Sequence, residues 1–191
     1  MKKPQNWQGA KKATSFEALR PGGYIIKILN AEEYGNNCLK LSYDICEGEF
    51  KDYYKKQYDQ YGGKWKGTCY QAVETKKGDV LSSFSNMIYC FENSNRGFVW
   101  DWDERKLKGK YVGVTLREEE YIAQSGQYAG TVRTSVKVDT FETIDDIKSG
   151  NFRVRECKRL QENSKANNND LPEFAENTKP SFDIDDSDIQ F

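Results

Sequence analysis

A chain of 191 residues is long enough for one ordinary domain with extensions and too short for two full ones. It contains no histidine, which removes His-based general acid/base work, Ser-His-Asp and Cys-His arrangements and His metal ligands. Its formal charge of -1 hides an asymmetry: residues 1–160 hold 27 Lys+Arg against 22 Asp+Glu, and residues 161–191 hold 2 against 8, so a basic body precedes an acidic end.

Residues 1–15 carry Lys2, Lys3, Lys11 and Lys12 without hydrophobic periodicity and read as a basic flexible arm. Arg20-Pro21-Gly22-Gly23 then punctuates the start of a strand in which Tyr24, Ile26 and Ile28 alternate with a mixed face carrying Lys27. After the turn chemistry of Tyr34-Gly35-Asn36-Asn37, Leu39, Leu41, Tyr43 and Ile45 fall at period two against Lys40, Ser42 and Asp44, which predicts a hairpin. Between Asp79 and Asn93 the spacing of Leu81, Phe84, Ile88 and Phe91 predicts one amphipathic helix. A second hairpin follows, with Val112, Val114 and Leu116 in one arm and Val132, Thr134, Val136 and Val138 in the other. From residue 161 the Asn/Glu/Asp/Ser-rich composition predicts a disordered tail.

Short strands, one helix and further short strands match a mainly β, five-stranded OB-fold barrel over residues 16–160, its helix capping between the third and fourth strands. An α+β domain with an open sheet is the alternative.

The densest segment lies between residues 50 and 70, where seven of 21 residues are aromatic and five are lysine. Single-stranded nucleic acid presents flat bases and phosphates, so a surface that holds it interleaves ring faces with cations. Placed on the third strand and the loop after it, Phe50, Tyr54 and Tyr58 share the core parity. Tyr53 and Lys55 take the opposite one, and Tyr61 and Trp65 sit in a Gly-containing loop. The expected base-stacking rings are Tyr53, Tyr61 and Trp65. The expected phosphate contacts are Lys27, Lys40, Lys55, Lys64, Lys66, Arg133 and Lys137. The bland alternative is that these rings fill the core while the lysines keep an edge soluble.

No metal, cofactor or catalytic residue is expected. Trp100-Asp101-Trp102-Asp103-Glu104-Arg105 and Glu118-Glu119-Glu120 read more simply as a turn and a solvated hairpin end than as a two-metal site. Gly22-Gly23 and Gly62-Gly63 lack the context of a phosphate loop. Cys38, Cys46, Cys69, Cys90 and Cys157 form an odd set without a CxxC pair, as expected of reduced, mostly buried thiols in a cytoplasmic protein. No stretch approaches the ~18 apolar residues of a membrane span, so no membrane partner is expected.

Several blocks resemble the small single-stranded DNA-binding proteins encoded by bacteriophages of Gram-positive bacteria. They are Pro21-Gly22-Gly23-Tyr24 with Ile26-Lys27-Ile28, and residues 39–54 around Tyr43-Asp44-Ile45-Cys46-Glu47-Gly48-Glu49-Phe50-Lys51. Residues 98–121 follow, with Lys106-Leu107-Lys108-Gly109-Lys110 and Arg117-Glu118-Glu119-Glu120-Tyr121, and then Ile147-Lys148-Ser149-Gly150-Asn151-Phe152. The ending Asp185-Asp186-Ser187-Asp188-Ile189-Gln190-Phe191 is similar to the Asp-rich, Ile-Pro-Phe tips of bacterial single-stranded DNA-binding proteins, with Gln190 in place of proline. These resemblances imply an OB-fold, non-catalytic protein that coats exposed strand in the host cytoplasm during phage replication or recombination. They also imply that replication or recombination proteins dock on Asp185, Asp186, Asp188, Ile189 and Phe191. Homo-oligomerisation is left open. The rival readings are a protein-interaction adaptor with an OB-like barrel, a recombination annealing protein, and a magnesium-dependent nuclease.

Overall fold

The computed structural model describes Lys2, residues 16–35 and residues 37–160. Its elements are β1 (Gly22–Glu33), β2 (Cys38–Ile45), α1 (Tyr53–Tyr61), β3 (Thr68–Ala72), α2 (Ser82–Ser94), β4 (Tyr111–Ile122), β5 (Val132–Glu142) and α3 (Ile144–Ser149). The five strands form one sheet in the order β3-β2-β1-β4-β5, with every neighbouring pair antiparallel.

The period-two pattern of β2 holds: Leu39, Leu41, Tyr43 and Ile45 are all buried. In β1 the alternation changes parity at a bulge between Ile28 and Asn30. Ile26 and Ile28 face the core before it and Ala31 faces the core after it, while Leu29 is turned out to solvent. The hairpin turn uses left-handed backbone at Gly35 and Asn37, a conformation those two residue types tolerate.

The sheet is open. β3 and β5 are its outer strands, and α2 contacts β3 on one side and β4 and β5 on the other. α2 buries Phe84, Met87, Cys90 and Phe91, so its inward face is rotated from the predicted stripe, and Leu81 and Ile88 are only partly buried. α3 covers the outer face of β4 at Gly113, where a Cβ would come within 2.5 Å of Ile147 Cγ1. Beyond α3 the Phe152 ring closes on Gly23 at a distance that only glycine permits. The chain then bridges Lys158 to Glu119 in parallel. Lys158 N–H donates to Glu118 O and Glu120 N–H to Lys158 O, both at 2.9 Å, so this segment occupies the β4 edge past the start of β1.

Two sequence expectations are corrected. The chain has three α-helices rather than one, and residues 53–61, assigned to the third strand, form α1, with β3 beginning only at Thr68. Tyrosine has high strand propensity, and two facts override it here. Tyr54, Tyr58 and Tyr61 are spaced for one side of a helix, and a buried carboxylate on β2 receives the first N–H groups of α1. The strand-parity division of Phe50, Tyr54 and Tyr58 against Tyr53 and Lys55 therefore does not apply.

Candidate functional site

Asp44 organises the region. It is 7% exposed, and its Oδ1 accepts from Ile45 N–H at 2.9 Å and Tyr54 N–H at 3.0 Å while Oδ2 accepts from Lys55 N–H at 3.0 Å. The residue at the usual capping position, Asp52, has left-handed backbone and makes no side-chain cap, so Asp44 performs that task from the neighbouring strand. Burial pushes the Asp44 carboxyl above the ordinary aspartate range, against the opposing effect of these three donors.

Fixed in this way, α1 turns Lys55 and Tyr58 towards a cleft of about 460 Å³ whose other walls include Lys27, Leu29, Asp44 and Trp65. Lys27 is paired in register with Asp44 on one side and Tyr111 on the other, its Nζ 5.4 Å from the Tyr111 ring centroid. Lys55 Nζ meets Asp59 at 2.6 Å on the rim. Trp65 is half-buried, and its Nε1–H is shared between Tyr43 O at 3.2 Å and Gly67 O at 3.1 Å. Its ring lies 6.0 Å from that of Tyr58. Gly67 makes this approach feasible, since a Cβ there would lie 2.2 Å from Tyr43 O.

The same sheet face continues along β2 and β3. Thr68 lies opposite Ser42 and Tyr70 opposite Lys40, about 13 Å along the strand from Asp44. There the exposed rings of Tyr34 and Tyr70 stand 5.0 Å apart. Lys40 Nζ contacts Glu32 at 2.6 Å, and that hydrogen bond raises the Lys40 pKa.

Of the predicted residues, Lys27, Lys55 and Trp65 meet at the cleft, and Lys40 stands farther along the same face. Lys64 and Lys66 flank Trp65, exposed and without an ion pair among the described residues. Tyr53 and Tyr61 do not line the cleft. Tyr53 packs on the core, accepts from Leu19 N–H at 3.1 Å and touches Phe16, which also touches Tyr61. Arg133 and Lys137 belong to the β4–β5 half. Arg133 lies over the Tyr128 ring at 4.2 Å. Lys137 is 3.5 Å from Glu119 in a network that also holds Arg117, Asp139, Arg155 and Lys158. Asp185, Asp186, Asp188, Ile189 and Phe191 lie outside the described residues.

Sequence reasoning missed Tyr58, Leu29, Tyr34, Tyr70 and the positioning role of Asp44. The helical spacing of Lys55 and Tyr58 was the available signal for one of them. Among the described residues no group of three His, Cys, Asp or Glu side chains is arranged to hold a metal ion, and no helix is long and apolar enough to cross a membrane. All five cysteines are free; Cys90 is buried and the others are half-buried. Comparison with protein-family models finds no match, and comparison with curated proteins finds none either.

Proposed function

We propose that the chain is a non-catalytic single-stranded DNA-binding protein that coats exposed strand during phage replication or recombination. The observation that carries this reading is the convergence of Lys27, Lys55, Tyr58 and Trp65 on one cleft. That face continues to Lys40, Tyr70 and Tyr34 and so offers rings and cations at successive positions along a strand. An OB-type barrel is the finer fold reading. Its support is the helix between the third and fourth strands and the antiparallel order with β1 at the centre, and oligonucleotides bind such folds over the second and third strands. The acidic residues 161–191 supply a docking tip for replication or recombination proteins at Asp185, Asp186, Asp188, Ile189 and Phe191.

Titration with single-stranded and duplex oligonucleotides at several salt concentrations tests this reading. Single strand is expected to bind tighter. If three or four of Lys27, Lys55, Lys64 and Lys66 neutralise phosphates, log K against log salt should slope at about -2 to -3. Equal affinity for both forms, or no dependence on salt, would favour the adaptor reading. A chain ending at residue 160 is expected to bind single strand more tightly at low salt, because the deleted segment carries eight acidic residues against two lysines and competes with phosphate at a high effective concentration. Unchanged affinity would remove the tail from that role.

A further inference from the structure

Trp102 has a left-handed backbone, φ 67°. The other non-glycine residues in that region are Asn37 and Asp52, types that tolerate it, whereas a large side chain there is held at a cost of roughly 1–2 kcal/mol. Its ring is 65% exposed and stacks on Phe84 of α2, centroids 5.9 Å apart and planes 23° apart. With Trp100, Tyr89 and Val80 it walls a groove of about 270 Å³ on the outside of α2, and Tyr89 and Val80 are more than half exposed. One carboxylate lies in the groove. Glu92 Oε1 accepts from Trp100 N–H at 2.8 Å, which fixes the acid beside the indoles.

Indole faces with a carboxylate between them suit a cation that carries an apolar neighbour, and tryptophan is the best ring acceptor for a cation. Among the described residues, cations sit over Phe50, Tyr111, Phe98 and Tyr128 and none over Trp100 or Trp102. Asp101 and Asp103 add acid beside the groove, although Lys106 and Arg105 partner them.

We propose that this groove seats the chain's own N-terminal segment, residues 1–15, in the same molecule or in a neighbouring copy. That segment holds Lys2, Lys3, Lys11, Lys12 and Trp7 and no acidic residue. It therefore carries both the cations and the apolar anchor that the groove lacks. Lys3 and Trp7 stand about 13 Å apart when extended, and fifteen residues reach about 50 Å, enough to cross a domain of this size. The acidic tail is the wrong occupant, since its net negative charge would be brought against Glu92. The seating does not depend on the DNA-binding reading.

Fluorine NMR of the full chain labelled with 5-fluorotryptophan reads it directly, because the four tryptophans divide into one on the arm, one in the cleft and two in the groove. Deleting residues 1–15 is expected to move the Trp100 and Trp102 resonances and leave Trp65 in place. A Lys2→Gln, Lys3→Gln variant, which leaves the described core untouched, is expected to move the same two resonances part of the way. Trp100 and Trp102 unmoved in both variants would overturn the proposal. A shift confined to Trp65 would overturn it too, placing the arm in the cleft instead. Shifts that survive dilution assign the arm to its own groove and shifts that fade assign it to a neighbour's; both support the seating.

Discussion

Asp44→Ala is expected to lower unfolding stability by about 3–5 kcal/mol. Three backbone N–H groups, those of Ile45, Tyr54 and Lys55, donate to this one carboxylate, and hydrogen bonds to a charged group contribute about 1.5–3 kcal/mol each. The full sum is not reached, because water entering from the cleft can satisfy the donor of exposed Lys55. Asp44→Asn should be milder, since the amide oxygen still accepts and the cost of burying a charge disappears. Burial raises the Asp44 pKa, so the folded chain holds this proton more tightly than the unfolded chain. The group's contribution is therefore fully present below the unfolded aspartate pKa and is lost as pH rises through the raised folded value. Urea denaturation of wild type, Asp44→Ala and Asp44→Asn across pH 3–7 measures both effects. A loss below ~1 kcal/mol for Asp44→Ala would mean that α1 is held by its tyrosines and not by this cap.

Legibility followed the kind of signal each element carries. β2 was plain because Leu39, Leu41, Tyr43 and Ile45 all point into one core, and the helix between the third and fourth strands was plain because Phe84 and Phe91 stand two turns apart. β1 was read short, since the bulge at Leu29 shifts its pattern by one residue and a period-two reading stops there. α1 was illegible as a helix: its cap lies on another element, at Asp44, and its tyrosines satisfy strand preference as well as helix spacing. The candidate site shared that fate. Lys27 and Trp65 were found by composition, but Tyr58 was assigned to the core by a strand parity that the helix abolishes, and Tyr70 gained its place only from β-ladder register opposite Lys40. Arg133 and Lys137 looked equivalent to the other cations in sequence, and only the fold puts them beside Tyr128 and Glu119.

Trp65→Ala is expected to reduce both single-stranded DNA affinity and stability, whereas Tyr58→Ala reduces affinity alone. The Trp65 ring packs against the core, and its Nε1–H is held by Tyr43 O and Gly67 O. Removing it leaves a void and frees two acceptors, at a cost of about 2–3 kcal/mol for a half-buried ring. Tyr58 is 47% exposed and no hydrogen bond from its hydroxyl fixes it among the described residues, so its loss should change stability by less than ~0.5 kcal/mol. If both rings stack on bases, each replacement removes about 1–3 kcal/mol of binding, a weakening of up to two orders of magnitude. Trp65→Phe separates the two contributions, because it keeps a ring face while discarding the indole hydrogen bonds. Its affinity should stay near that of wild type even where its melting temperature falls. Thermal melts and fluorescence titrations on the three variants give the comparison. Wild-type affinity in Tyr58→Ala, together with Trp65→Ala binding that recovers once the melting temperature is restored by stabilising solutes, would leave the cleft without a stacking role.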